Sequence, residues 1–218
     1  VIGDSWFAIA GYNMNSILLN DRLLNNNMTL KPYHQLDCPD DLQKTISEKT
    51  IDFLKTKHDI LNVTKPSLWN KLDTVEFVRA VPELAQYFKT LKLQLREVAF
   101  TICVSNENAN LHIDELPVTA KINFPILNTQ DSRNLWYSVP AELMSQVKPI
   151  VNKFGAAYYD LSAIDLSQCQ QLASVEVLKP VVFNSQIPHT IDMSKCQSFP
   201  RVVLTCMFFK EPVDFLKE

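Results

Sequence analysis

Glycine is nearly missing from this chain, with three residues in 218 against sixteen asparagines. Tight turns often need a left-handed backbone, and after glycine it is asparagine that enters that region most readily. The Asn106-Glu107-Asn108-Ala109-Asn110 stretch is therefore expected to turn in place of a glycine loop. The five cysteines are odd in number and show no CxxC spacing, which argues against a zinc site and a disulfide framework alike. Reduced thiols and a cytoplasmic location are the expectation. No apolar run is long enough to cross a bilayer, so no membrane partner is expected. Low-complexity tracts and internal repeats are absent as well. Lysine and arginine total 21 against 24 acidic residues and are scattered, so no surface for a phosphate backbone emerges and no nucleic-acid partner is indicated.

What is present suits one domain. A 46% hydrophobic share over 218 residues supports a sizeable core, read here as an N-terminal helical or mixed extension over 1–92 and a core over 93–211. Residues 40–58 place Leu42, Ile46, Phe53 and Leu54 among charges after Pro39, which predicts an amphipathic helix. Residues 82–91 predict another, with Pro82 in the first turn and Leu84, Phe88 and Leu91 on one face. Both are expected to pack on a sheet. Nearer the N-terminus, strands are expected around 6–10 and 28–32, with a turn at 25–27. From residue 93 the chain changes to short runs rich in valine, isoleucine, phenylalanine and tyrosine. These predict strands at 95–104, 118–126, 134–139, 156–161, 175–178, 181–184, 189–193 and 202–210. A small helix or loop at 140–151 and Gly155 interrupt the series. Eight or so short strands with few helices between them suggest a mainly β jelly-roll sandwich of cupin type.

Histidine is scarce, at four residues, so the triplet His112-Ile113-Asp114 stands out. In a strand, residues i and i+2 point to the same face, which brings an imidazole and a carboxylate together. A third ligand has to come from elsewhere, and His189 opens a later strand. Two histidines and one carboxylate form the facial set associated with non-haem Fe(II) oxygenases. An HxD pair alone is a weak signal; Arg201, at the head of another strand, strengthens it. A guanidinium grips a carboxylate through two parallel hydrogen bonds and stays charged when buried. If 194–198 forms a hairpin turn, the strands from His189 and towards Leu204 lie antiparallel and return Arg201 to His189. The plain alternative has two ordinary half-buried histidines, Asp114 capping a turn and Arg201 facing solvent.

Residues 93–211 resemble the double-stranded β-helix of Fe(II)- and 2-oxoglutarate-dependent dioxygenases, especially short bacterial and phage-type members related to aspartyl/asparaginyl β-hydroxylases. The likeness is carried by Lys121-Ile122-Asn123-Phe124-Pro125 with Asn128, by Asn134-Leu135-Trp136-Tyr137, and by Pro180-Val181-Val182-Phe183-Asn184 leading to Pro188-His189. It implies that His112, Asp114 and His189 are the Fe(II) ligands and catalytic centre. It also implies that Arg201 pairs with the distal carboxylate of 2-oxoglutarate as co-substrate, and that the reaction hydroxylates a C–H bond. An amino-acid or peptide side chain is the substrate it suggests first, with lipids, nucleobases and small metabolites left open. Two departures matter. Many members carry serine or threonine two residues after the arginine, where this chain has Val203, and related sequences often carry arginine where Lys121 stands. Lys121 is then either a second cation lining the site or a solvated strand residue. Tyr137 and Asn184 are further candidates to line the co-substrate pocket, while Trp136 reads as core or wall. Two other functions compete, a cupin-like metal-binding isomerase or sensor and a non-catalytic jelly-roll binding module. The N-terminal region and the loop over 130–134 are expected to shape the entrance.

Overall fold

A computed structural model describes residues 30–114, 118–151 and 157–217. The strands expected near 6–10, the turn at 25–27 and Gly155 lie outside the described residues. One six-stranded sheet contains β1 (Tyr33–Gln35), β2 (Ser67–Lys71), β3 (Leu95–Cys103), β5 (Ala120–Leu127), β10 (Val181–Asn184) and β12 (Arg201–Phe208), in the order β1-β10-β5-β12-β3-β2. The second contains β4 (His112–Ile113), β6 (Arg133–Ser138), β7 (Ile150–Val151), β8 (Ala157–Asp160), β9 (Gln170–Glu176) and β11 (His189–Asp192), in the order β7-β8-β4-β11-β6-β9. All pairings are antiparallel. The architecture is the expected double-stranded β-helix, a jelly-roll sandwich with helices on one sheet.

Helix α1 (Asp40–His58) carries Asp40 and Asp41 in its first turn and Lys55, Lys57 and His58 in its last, matching the helix dipole at both ends. It buries Ile46, Thr50 and Leu54, spaced by four, and stops where Asp59 enters the left-handed region at φ 46°. In α2 (Thr74–Ala80) the Asp73 carboxylate accepts from the backbone N–H groups of Val75 and Glu76, both at 2.9 Å. Helix α3 (Pro82–Thr90) opens with proline, whose missing N–H costs nothing in a first turn, and buries Leu84, Tyr87 and Phe88. A fourth, α4 (Ala141–Met144), is one turn long.

The main core lies between these helices and one face of the first sheet. Ile46, Leu54, Phe77, Leu84 and Phe88 meet Phe100 and Ile102 of β3, Ile122 and Phe124 of β5, and Val202, Leu204, Cys206 and Phe208 of β12. Strand alternation then commits the intervening residues, among them Cys103, Lys121, Asn123, Arg201, Val203 and Thr205, to the face turned towards the second sheet. That single consequence of the apolar pattern furnishes the interior with polar groups. Phe88 meets Phe208 edge to face at 4.9 Å. Phe88→Ala is expected to cost about 3–5 kcal/mol, read as a lower denaturant midpoint at unchanged slope.

Several expectations need revising. Strand β9 begins at Gln170 rather than near 175. Strands β1 and β2, from the region before residue 93, form both edges of the first sheet. Of the expected 28–32 strand, described residue Leu30 makes one bridge to Lys217. Residues 106–110 show no positive φ, which falls instead on Asp59, Lys92, Asn128 and Asp131. The stretch is tied along β11: Ala109 N–H donates to the Ile191 carbonyl at 3.1 Å, and Met193 N–H donates to Asn108 Oδ1 at 2.7 Å. The His189–Leu204 hairpin does not form. Strand β11 is already paired on both edges, by β4 and β6, whereas β12 lies between β3 and β5 in the other sheet. The 194–200 segment crosses from one sheet to the other, so Arg201 faces the second sheet across the sandwich. No helix among the described residues is long and apolar enough to cross a membrane.

Candidate metal centre

His112 and His189 are direct partners in the antiparallel pair of β4 and β11. This register brings the ring centroids to 4.3 Å at 59°. Asp114, two residues beyond His112, is held by its N–H donating to the Ser185 carbonyl at 3.1 Å. Asp114 Oδ1 lies 3.8 Å from His112 Nε2, and Oδ2 lies 3.4 Å from His189 Nε2. One potential ligand atom from each residue falls within 4.8 Å of the others, the arrangement required to hold a metal ion. The His189 side chain is buried, while those of His112 and Asp114 are 28% and 25% exposed, so the cluster is open on one side.

The same device orients both imidazoles. His112 Nδ1 lies 2.8 Å from the carbonyl of Asn110, and His189 Nδ1 lies 2.8 Å from that of Ile187, each two residues upstream. A carbonyl can only accept, so each Nδ1 carries a hydrogen and each Nε2 is left facing the cluster as the nitrogen that could ligate a metal. Burial, aided by the neighbouring His189, pushes His112 down to about 4, so it is neutral at ordinary pH. Burial raises the Asp114 carboxyl, but the Lys121 ammonium and the two histidines outweigh it and hold the group well below the usual carboxylate range. Two imidazole nitrogens and one carboxylate suit a divalent first-row metal ion.

Lys121 lies in this site. Its ammonium donates to Asp114 Oδ2, sits 5.3 Å from the Phe183 ring centroid, and belongs to a side chain only 12% exposed. Lys121→Met would leave a half-buried carboxylate without its cation. The metal-free variant is expected to lose about 1–3 kcal/mol of stability, and a divalent ion, by taking over the charge of Asp114, should raise its thermal midpoint more than it raises that of the wild type. Equal rises in the two proteins would count against the coupling.

Arg201 is 1% exposed on β12, opposite Cys103 of β3. Its Nε donates to Ser132 Oγ at 2.7 Å, and that hydroxyl donates to the Thr129 carbonyl at 2.7 Å. Burial lowers the guanidinium from its usual value, and the groups beside it are the thiols of Cys103 and Cys196. Among the described residues it has no carboxylate partner, an unusual state for a buried cation. Val203 shares its face without a hydroxyl, while Thr205 Oγ1 donates to Asn123 Oδ1 at 3.1 Å.

Two sequence candidates are not brought to the cluster. Tyr137 packs with Leu111, Ile113, Tyr159 and Leu161 on the far face of the second sheet, because it follows inward-facing Trp136 on the same strand. Asn184 spends its amide on backbone: Nδ2 donates to the Lys31 carbonyl at 3.3 Å and Oδ1 accepts from Gln186 N–H at 3.1 Å. Trp136 forms a wall. Its indole donates to the Asn184 carbonyl at 3.1 Å, and its ring lies against Phe183 at 4.7 Å and stacks on Tyr33 at 5.4 Å. Ser132 escapes the sequence reading, since nothing marks it except its spacing of four from Trp136.

No protein-family model matches the chain, and no curated protein matches its sequence. Solved structures similar to it in fold include the following two. HygX from Streptomyces hygroscopicus, solved with nickel and 2-oxoglutarate bound, superposes with a TM-score of 0.48 at 10% identity over 88% of this chain and 86% of that one. AviO1 from Streptomyces viridochromogenes Tue57 gives a TM-score of 0.44 at 10% identity over 91% of this chain and 97% of that one. By its own sheet order and strand pairing the chain is a mainly β double-stranded β-helix, and its described residues bring together a His-Asp-His group that could hold a metal ion.

Proposed function

We propose that the protein is a non-haem Fe(II)- and 2-oxoglutarate-dependent oxygenase that hydroxylates a C–H bond of a small molecule or of an amino-acid or peptide side chain. The observation carrying this reading is the pairing of two kinds of group across one sandwich. His112, Asp114 and His189 offer a three-donor set on one sheet, and Arg201 on the facing sheet is a buried guanidinium with no carboxylate partner among the described residues. A simple metal-binding isomerase or sensor has no use for the second feature. When bound, ferrous iron and 2-oxoglutarate would activate dioxygen, which is the oxidant: one oxygen atom goes to succinate as carbon dioxide leaves, and the other goes to the substrate C–H bond.

The protein's own residues would do the rest. The Asn110 and Ile187 carbonyls fix the imidazoles with Nε2 inward, Lys121 keeps Asp114 ionised and directed, and Arg201 receives the distal carboxylate of the co-substrate. Trp136 and Phe183 form an apolar wall beside His189, with Phe183 edge-on to its ring at 4.7 Å, and so exclude water from that side. The test is succinate release from 2-oxoglutarate by the aerobic, iron-reconstituted protein, with and without a panel of amino acids and short peptides. Release that needs iron and disappears in His189→Ala is expected. Release at the rate of free iron in buffer would contradict the reading.

A further inference from the structure

Asn134 is 2% exposed, and its Nδ2 is a buried donor without an acceptor among the described residues. A buried amide N–H left unpaired is costly and calls for an explanation in a native fold. Its location supplies one. On β6, Asn134 is two residues from Trp136, whose ring reaches Phe183 on the first sheet, so both side chains face the sandwich interior. On β11 its direct partner is Ile191, which packs with Cys103, the residue paired with Arg201. Ser132, two residues the other way, accepts from Arg201 Nε. The unpaired N–H is thus held in the neighbourhood of the guanidinium.

Spacing along the strands points to the same conclusion. His189 is paired with Trp136, and Asn134 lies one two-residue step further along, roughly 7 Å. A five-carbon 2-oxo diacid has its carboxylates joined by four C–C bonds, roughly 5 Å end to end. A chain of that length, starting at the metal group, ends near the level of Asn134.

We infer that Asn134 is a co-substrate-binding residue: its Nδ2–H donates to the distal carboxylate that Arg201 neutralises. It supplies from the second sheet the neutral donor that Val203 does not supply from the first. The inference rests on the proposed use of 2-oxoglutarate, and adds to it a residue and a selectivity.

The experiment measures binding of 2-oxoglutarate and of 2-oxovalerate, which has the same chain length without the distal carboxylate, to the Co(II)-loaded protein by calorimetry. Wild type is expected to prefer 2-oxoglutarate. Asn134→Leu should reduce that preference by about 10- to 100-fold, with 2-oxovalerate affinity unchanged. Its ligand-free thermal midpoint should equal or exceed that of wild type, because an unsatisfied polar group has been removed. Asn134→Asp, equal in size but repelling the carboxylate, should reduce the preference further. If Asn134→Leu keeps the full preference, or weakens both acids alike, the role of Asn134 is overturned and the function stands. If wild type binds the two acids equally, both the function and this inference fall.

Discussion

Asp114→Ala is expected to lower affinity for a divalent metal ion by more than about 100-fold, beyond the roughly 10- to 100-fold that loss of a supporting group costs, and to abolish turnover. The centre is small: two imidazole nitrogens and one carboxylate, with ligand atoms no more than 4.8 Å apart. Removing the carboxylate deletes the only negative charge in the set. It also strands Lys121, whose ammonium is paired with Asp114 in a side chain 12% exposed, so a second cation now repels the incoming ion. His189→Ala should also release the metal, but without leaving an unpaired charge, and so with less damage to the metal-free fold. Metal content after exchange into chelator-treated buffer, together with thermal midpoints of the metal-free proteins, separates the two effects. Asp114→Ala protein retaining metal at wild-type stoichiometry would remove the assignment.

The second large effect concerns Arg201. Arg201→Met should leave metal affinity within a few-fold of wild type and weaken 2-oxoglutarate by about 100-fold or more, since charge-assisted hydrogen bonds are worth about 1.5–3 kcal/mol apiece. The same substitution should stabilise the ligand-free protein. A guanidinium that is 1% exposed, with Ser132 as a neutral hydroxyl partner and no carboxylate among the described residues, is a desolvated charge that the empty fold accommodates at a cost. Methionine fills a similar volume without that cost. A gain of thermal stability alongside loss of co-substrate is hard to reconcile with a structural arginine, which would lose stability. Chemical denaturation of the ligand-free pair and calorimetric titration of the metal-loaded pair read the two quantities independently.

Much of the architecture was legible because it rests on local patterns. Helix α1 falls on 40–58 as the apolar spacing and the start signal at Pro39 predict, and β10 falls on 181–184. Strand partners were less legible, because pairing is decided by distant edges. The adjacency of β11 and β12 in sequence suggested a hairpin, yet both edges of β11 are taken by β4 and β6. The short α2 was missed because its signal is a single capping aspartate before seven residues. In the centre, His112 and Asp114 emerge from residue type and the two-residue period, and His189 from its place at the head of a later strand. The same period places Tyr137, one residue from inward Trp136, on the outward face. Applied to Ser132 and Asn134, the period would have selected both. Lys121 alternates with Ile122 and Phe124, which face the helices, so its inward placement was equally implicit. Its partner Asp114 was not, because that contact joins the two sheets.

The most direct measurement of the central claim is an anaerobic titration of the metal-free protein with Fe(II), followed by 2-oxoglutarate, watching for the visible charge-transfer band of a 2-oxo acid chelated to ferrous iron. Expected are one iron per chain, a band that saturates with 2-oxoglutarate in the wild type, its disappearance in Asp114→Ala through loss of iron, and a far weaker response in Arg201→Met with iron retained. Iron bound without any band would contradict the oxygenase reading and leave a metal-binding β-helix of another function. No iron bound would contradict the metal centre itself.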